Sequence, residues 1–123
     1  MCGRFSQAYT YQEIVEFSQP LTVPVDKPNL RARHSINPTT EVDIIVLTEA
    51  GRELRKARWG LIPSWWKKSA KETGATFNAR IEGADKSPFF GSAWNKRRCI
   101  IPASGFYEWT GEKPNKQPWF ISP

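Results

Sequence analysis

The sequence has few of the residues from which disulfide frameworks and metal centres are built. It contains two cysteines, Cys2 and Cys99, and a single histidine, His34, with no C-x-x-C spacing. Two cysteines this far apart do not make a disulfide framework, and without neighbouring ligands they are poor evidence for zinc. We therefore expect no metal site and no small-molecule cofactor.

Long apolar stretches are missing as well. No run approaches the roughly 20 residues that a membrane-spanning helix needs, and the first residues lack the charged-then-apolar pattern of a secretory signal. The sequence also shows no internal repeat, no low-complexity tract and no domain boundary. These absences predict a cytoplasmic protein with no membrane partner, and we expect a monomer. Its length suits one modest core, so we expect a single domain over residues 1–123.

Positive charge and tryptophan are present in excess. Eighteen basic residues against 12 acidic ones give a net charge of +6, and there are six tryptophans. Cations that follow phosphates and rings that stack on bases are what single-stranded nucleic acid requires. An inert basic surface with the tryptophans in the core has the same composition, which therefore does not choose between the two.

Cys2 follows the initiator methionine, and its small side chain predicts that Met1 is removed. The cysteine would then carry a free α-amine and a thiol on adjacent carbons. Such a residue can condense with an aldehyde to an imine and then close a thiazolidine ring. The reference pKa of an α-amine is about 7.7–8.0, so on the order of a tenth of such amines are neutral at pH 7. Taken alone, Cys2 is still more simply an ordinary buried cysteine.

The chain alternates between strand patterns and short helical ones. Thr10 and Glu13 have the spacing of a capping box, which predicts a helix over about residues 11–18. The proline-rich segment 20–38 is typical of an irregular arm, and residues 82–96 of a short helix or turns. Strands are predicted over residues 42–48, 53–59, 75–80, 99–102, 105–109 and 118–121.

Trp65 and Trp66 are adjacent tryptophans between a proline turn and paired lysines. Neighbouring side chains in an extended segment point to opposite sides, so at least one of the two indoles is expected in the core. The other is a candidate stacking surface for a base, with Lys67 beside it.

Four further residues are candidates for function or for structure. Asn78 lies among small and apolar neighbours and would need hydrogen-bond partners if it were buried. Glu108 follows aromatic residues in a strand, so it is either exposed or, if desolvated, suited to acid–base chemistry. Cys99 interrupts an apolar run and is most simply a buried structural cysteine. His34 is more simply a solvated loop histidine than a catalytic one.

Four separated motifs occur in one order along the chain. They are Met1-Cys2-Gly3-Arg4-Phe5, Trp59-Gly60-Leu61-Ile62-Pro63-x-Trp65, Phe77-Asn78-Ala79-Arg80-x-Glu82 and Arg98-Cys99-Ile100-Ile101-Pro102-Ala103-x-Gly105-Phe106-Tyr107-Glu108-Trp109. Together they resemble the SOS response-associated peptidase family, the abasic-site shields that cross-link to single-stranded DNA. Each fragment is weak alone, but the set is highly specific and spans the chain.

The resemblance implies an α+β fold with a mainly antiparallel, barrel-like sheet, short helices and a positively charged DNA channel. The implied catalytic residues are Cys2 as nucleophile, Asn78 and Glu108. The implied DNA-binding residues are Arg4, Arg80, Trp65, Trp66 and Lys67. The family's later H-x-R-M-P motif, which carries a catalytic histidine, does not occur in this sequence. We therefore expect the C-terminal part of the domain to be missing.

The implied function is recognition of abasic sites in single-stranded DNA and a covalent thiazolidine cross-link through Cys2, as part of the DNA damage response. Self-cleavage of a leader and a lyase reaction by β-elimination are the side activities that the same groups allow. A non-catalytic single-strand binding module would need the basic and aromatic residues but no free Cys2 amine. A cysteine peptidase acting on other proteins would need a Cys–His pair, and His34 lies in the wrong segment to supply one.

Overall fold

The computed structural model describes residues 2–19, 21 and 28–123. The strands in these ranges are β1 (Phe5–Gln7), β2 (Arg33–Ile36), β3 (Glu41–Thr48), β4 (Gly51–Arg58), β5 (Cys99–Ile100), β6 (Gly105–Thr110) and β7 (Gln117–Ile121). The helices are α1 (Tyr11–Phe17), α2 (Ile81–Ala84) and α3 (Gly91–Lys96), and a short 3-10 helix covers Ala70–Thr73. Within the described ranges, no helix has the length and apolar character that crossing a membrane requires.

The strands form two antiparallel sheets, which together with the short helices confirm the α+β class. One sheet has the strand order β2-β1-β6-β7 and the other has the order β4-β3-β5. Neither sheet closes on itself, so the barrel-like expectation is wrong. The sheets stay open because their outer strands do not pair with each other. β5 pairs with β3 only through Ile45↔Ile100 and Val46↔Cys99, and β7 pairs with β6 alone.

The capping box forms as the sequence predicts. The Thr10 side chain accepts from the backbone N–H of Glu13, and the Glu13 carboxylate accepts from the Thr10 N–H at 2.6 Å. These two bonds satisfy donors that the first turn of a helix otherwise leaves unpaired. The pKa of Glu13 is lowered because its carboxylate accepts from the Thr10 backbone N–H and also from the Thr10 hydroxyl at 2.9 Å, and both of these bonds favour the charged form.

β3 and β4 form a hairpin that provides much of the core. Its register runs from Glu41↔Arg58 to Thr48↔Gly51. Gly51 has a φ of 117°, a conformation that side chains disfavour, which explains glycine at the turn. Residues 42–45 are buried in succession, so this part of β3 is covered on both faces, whereas Leu47 further along is 80% exposed.

Gln7 ties the two sheets together. Its side-chain amide donates to the carbonyls of Asp43 in β3, at 2.9 Å, and of Pro102 before β6, at 3.0 Å. Its side-chain oxygen accepts from the Asp43 N–H at 3.1 Å. Because Gln7 is only 2% exposed, these bonds replace those that water would make.

A buried group that we call the Trp59 cluster supports the start of the chain. Its members are Phe5, Ile36, Val42, Ile44 and Trp59. The Phe5 and Trp59 rings meet edge to face, with their centroids 4.8 Å apart. A second, smaller cluster joins α1 to β3 through Ile14, Leu21 and Ile45.

Some sequence predictions differ from the structure. Residues 75–80 form no strand, because the carbonyl of Thr76 accepts from the Leu61 N–H and that of Phe77 from the Trp59 indole. The arm 20–38 contains strand β2, because the buried Ile36 pairs with Phe5, and residues 20 and 22–27 of that arm lie outside the described ranges. Helices α2 and α3 agree with the short helix or turns expected over 82–96.

Gly105→Ala is expected to lower the free energy of unfolding by about 1–3 kcal/mol, the usual cost of overpacking. A Cβ on Gly105 would lie 2.4 Å from the Phe120 ring and 2.7 Å from the carbonyl oxygen of Ile121, so β7 would have to move. Chemical denaturation followed by tryptophan fluorescence measures the loss. Gly83→Ala in α2 is the control, because a Cβ there meets nothing within 4 Å. Equal stability of the two variants would contradict the argument.

Candidate functional site around Cys2

Cys2 is partly buried and packs against the Trp59 cluster. Its Sγ lies 3.4 Å from the carbonyl oxygen of Arg4, within hydrogen-bonding distance for sulfur. Beside it is an open hollow with a volume of about 310 Å³, lined by Cys2, Phe5, Trp59, Ile101, Ala103 and Phe106. The cysteine is therefore fixed by the core on one side and accessible through the hollow on the other.

Asn78 holds the backbone of Cys2. Its Nδ2 donates to the Cys2 carbonyl oxygen at 2.7 Å, across 76 positions of sequence. The irregular segment before it is anchored because the Trp59 indole donates to the carbonyl of Phe77 at 2.9 Å. Asn78 is partly buried, and its side-chain amide has a hydrogen-bond partner in the backbone of Cys2.

Arg4 extends from the segment between Cys2 and β1. Its carbonyl accepts from the Tyr107 N–H at 2.9 Å, which attaches this segment to β6. The Arg4 guanidinium carbon lies 5.6 Å from the centroid of the Trp109 ring, a cation–π arrangement. Arg4 therefore lies two residues from Cys2 in the chain, with its guanidinium over an aromatic ring.

Glu108 occupies the middle of β6, opposite Trp119 of β7. Alternation along a strand puts Glu108 on the same face as Phe106, and Phe106 lines the hollow beside Cys2. Glu108 is partly exposed. The carboxylate thus belongs to the strand face that borders the candidate nucleophile.

Trp65, Trp66 and Phe89 form a group of three aromatic rings. The centroids of Trp65 and Trp66 are 5.8 Å apart, and those of Trp65 and Phe89 are 5.3 Å apart. Trp65 is 51% exposed and Trp66 is half-buried, so the expectation that one of the pair lies in the core is wrong. The reason is that both rings pack on Phe89. Lys67, which follows the pair, is exposed.

Arg80 is exposed at the start of α2, two residues after Asn78. Direct contacts join Cys2 to Asn78 and to Arg4. Within the part of the chain that the structure describes, no hydrogen bond or ring contact joins these residues to the tryptophan pair. The predicted site residues therefore form a compact group at Cys2 and a second group of rings with Lys67.

Cys99 and His34 differ from the sequence predictions in their surroundings. Cys99 is exposed in β5, so the expectation of a buried structural cysteine is wrong; β5 makes only two residue pairs and leaves that strand uncovered. Part of the thiol is still desolvated, which raises the pKa of Cys99. His34 is exposed but lies on β2, where its carbonyl accepts from the Tyr107 hydroxyl at 2.9 Å.

Sequence reasoning did not identify three contributing residues. Trp109 supports Arg4, Phe89 supports the tryptophan pair, and Gln7 joins the two sheets. The aromatic run in β6 was the available signal for Trp109. Among the described residues, no group of three or more histidine, cysteine or acidic side chains could hold a metal ion.

Comparison with known proteins gives consistent matches. Residues 1–123 match the family model for SOS response associated peptidase (SRAP). The chain is 34% identical over 124 residues to the abasic site processing protein YedK of Escherichia coli, covering 98% of this chain and 53% of that protein. It is 30% identical over 146 residues to the abasic site processing protein YMR114C of Saccharomyces cerevisiae, covering 99% of this chain and 40% of that one.

A solved structure supports the same relationship. A crystal structure of a Bacteroides thetaiotaomicron protein superimposes with a TM-score of 0.78 at 26% identity, covering 98% of this chain and 54% of the other. The chain thus spans about half the length of the relatives that it matches. Because the family model matches from residue 1 to residue 123, this chain belongs to the SOS response-associated peptidase (SRAP) family.

Proposed function

We propose that this protein recognises abasic sites in single-stranded DNA and joins them covalently through Cys2. The curated relatives are abasic site processing proteins, and we carry that activity to this chain as a proposal. The observation that supports it best is the hydrogen bond from Asn78 to the Cys2 carbonyl at 2.7 Å. An ordinary core cysteine at a chain start needs no such bond, whereas a nucleophile must be held in one orientation.

The reaction is a condensation that needs no oxidant or reductant. The neutral α-amine of Cys2, freed by removal of Met1, attacks the aldehyde carbon of the ring-opened sugar. The carbinolamine then loses one water and becomes an imine. The Cys2 thiol adds to the imine carbon, and its proton passes to the nitrogen as the thiazolidine ring closes. Ring closure removes the imine from which β-elimination would break the DNA strand.

Each site residue has a distinct part in this mechanism. Glu108 transfers protons as the carbinolamine breaks down, acting as general acid–base. Asn78 orients Cys2 through the backbone bond described above. Arg4 and Arg80 bind phosphates that flank the abasic sugar, since charge-assisted donors position a nucleic acid without reading its sequence.

Trp65 and Trp66 contribute stacking surface for the neighbouring bases. Their exposure leaves ring area available, and base–aromatic stacking contributes about 1–3 kcal/mol per base. The exposed Lys67 follows them along the chain. This group also supports the second candidate, a module that binds single strands without reacting with them.

The proposed function is tested by mixing the protein with a single-stranded oligonucleotide that carries one abasic site. The expected product has a mass equal to protein without Met1 plus oligonucleotide, less one water. Intact-mass spectrometry measures it after denaturation. The matched control carries a tetrahydrofuran residue, which has no aldehyde and is expected to give no adduct.

Non-covalent binding gives the second arm of this test. Affinity for the tetrahydrofuran strand is expected to fall with salt, with a slope of about −0.7 in log affinity against log salt for each phosphate contact. Salt-dependent binding without any adduct would favour the non-catalytic module. An adduct formed by protein that retains Met1 would remove the α-amine mechanism.

Asn78→Ala is expected to slow cross-linking by about 2- to 10-fold, because a hydrogen bond worth about 0.5–1.5 kcal/mol no longer orients Cys2. Stopped time courses on denaturing gels at saturating DNA measure the rate. Asn95→Ala is the control, because Asn95 also donates through Nδ2 to a backbone carbonyl, that of Gly91 at 3.0 Å, but belongs to α3. A rate that Asn78→Ala leaves unchanged would contradict this role.

A further inference from the structure

We propose that Trp109 is a positioning residue that orients the Arg4 guanidinium toward the phosphate beside the sugar that Cys2 attacks. This inference rests on the proposed function and adds to it a residue that acts through Arg4. The observations that carry it are the Arg4–Trp109 cation–π contact, the lack of an acceptor for the Arg4 head among the described residues, and the short link from Arg4 to Cys2.

The backbone brings the two side chains together. β1 and β6 are antiparallel, with Phe5 opposite Phe106, and the Tyr107 N–H donates to the Arg4 carbonyl at 2.9 Å. Tyr107 and Trp109 share a strand face by alternation, and their ring centroids are 6.4 Å apart. The guanidinium carbon of Arg4 lies 5.6 Å from the Trp109 centroid. The contact thus follows from the register of two paired strands.

The Arg4 guanidinium has no protein acceptor among the described residues. Its Nε is buried without a hydrogen-bond partner, and no described carboxylate forms an ion pair with it. Arg55 shows the usual alternative, because it donates through Nε and Nη2 to Glu53 at 2.9 and 2.6 Å. Among the described residues, the ring of Trp109 is therefore the contact that sets the direction of the Arg4 head, and no described carboxylate neutralises its charge.

A guanidinium centred over the face of a ring can keep N–H groups at its outer edge free to donate. That edge carries N–H groups in a planar fork that matches a phosphate, which makes arginine a suitable donor to the DNA backbone. Tryptophan is the best of the aromatic side chains for holding a cation, and the contact restricts a side chain that is otherwise flexible. The expected ligand of this edge is one phosphodiester of a single strand.

The distance along the chain to Cys2 gives the orientation a catalytic consequence. Only Gly3 separates Arg4 from Cys2, and the Cys2 Sγ contacts the Arg4 carbonyl at 3.4 Å. A phosphate bound by an oriented Arg4 would hold the adjacent sugar at a fixed position relative to the Cys2 amine. Loss of the ring should therefore lower the rate at saturating DNA as well as the affinity.

The test compares Trp109→Ala with Trp94→Ala. Trp94 is a matched control because it is 37% exposed, as Trp109 is, and lies in α3 with no described contact to Arg4. We expect Trp109→Ala to lower the cross-linking rate at saturating abasic DNA by about 3- to 10-fold, in the range of one cation–π contact. Trp94→Ala should react at nearly the wild-type rate, and Trp109→Phe should recover part of the loss.

A double-mutant cycle shows whether Trp109 acts through Arg4. In an Arg4→Met background, Trp109→Ala is expected to cause no further loss of rate. Losses that multiply would mean that Trp109 contacts DNA by itself, and would overturn the proposal. Should Trp109→Ala fail to fold, as judged by circular dichroism, the same cycle is run with Trp109→Leu.

The outcomes separate this inference from the function on which it rests. A wild-type protein that forms no adduct with abasic DNA would refute the proposed function. A wild-type protein that reacts while Trp109→Ala matches Trp94→Ala would refute only the role of Trp109. NMR of the Arg4 Nε–H in DNA-free protein gives an independent measure, because its ring-current shift should disappear in Trp109→Ala and persist in Trp94→Ala.

Discussion

Cys2→Ser is expected to abolish the heat-stable DNA adduct while leaving an imine that borohydride can trap. Serine keeps the α-amine that attacks the aldehyde, but a hydroxyl is a much poorer nucleophile than a thiol for closing the ring. The adduct should therefore form only reversibly and disappear on heating. Denaturing gels of protein incubated with an abasic oligonucleotide, with and without borohydride, measure both species.

Cys99→Ser provides the matched control for this experiment. Cys99 is the other free cysteine and is exposed, and partial burial of its thiol raises its pKa and so lowers its thiolate fraction at neutral pH. This variant should give the heat-stable adduct at the wild-type rate. If Cys2→Ser gave that adduct at the normal rate without reductant, the thiol would be irrelevant and the thiazolidine mechanism would be wrong.

Glu108→Gln is expected to slow cross-linking by about 10²–10⁴-fold, the usual contribution of a general acid–base group. Glutamine keeps the size of the side chain and removes its ability to exchange a proton. Because Glu108 shares a strand face with Phe106 at the hollow, the change acts beside Cys2. Single-turnover rates across pH measure the loss, and affinity for a tetrahydrofuran strand should change little.

The control for this variant is Glu112→Gln. Glu112 is exposed in the turn after β6. Its substitution removes the same negative charge without altering the strand face that borders Cys2. Its cross-linking rate should match that of the wild type. Equal slowing in both variants would mean that the effect comes from net charge and not from acid–base catalysis.

Local patterns predicted the elements that depend on neighbouring residues. Thr10 and Glu13, three residues apart, form the two hydrogen bonds of the capping box at the start of α1. The spacing in the sequence is therefore enough to predict where this helix begins. The β3–β4 hairpin is equally local, since a turn ending at Gly51 fixes its register. In both cases the interacting atoms lie within a few residues of one another.

The wrong predictions concern residues whose partners are distant in sequence. The segment 75–80 has a strand-like composition, but two of its carbonyls accept hydrogen bonds from the Trp59 indole and the Leu61 N–H, which lie in a different motif. Cys99 lies in an apolar run, yet whether that run is covered depends on how far β5 extends along β3. Whether Cys99 is buried therefore depends on how the strands of the sheet pair and not on its apolar neighbours in the sequence.

The candidate site was predicted in part. The motifs that resemble the family identified Cys2, Asn78 and Arg4, and the structure joins these three by direct contacts. The cation–π contact of Arg4 with Trp109 depends on the pairing of β1 with β6, which spacing in the sequence does not reveal. Composition likewise gave no indication that Gln7 would be the polar link between the sheets.

The outer strand β7 affects how the protein behaves in solution. All five of its residues are exposed, including Trp119, Phe120 and Ile121, and an edge strand of this composition can recruit another chain. The net charge of +6 opposes such association through mutual repulsion, which salt screens. Raising the salt is therefore expected to weaken the proposed DNA binding and to promote self-association together. A salt titration at high protein concentration will consequently overstate the number of phosphates contacted, whereas a dilute one will report it directly.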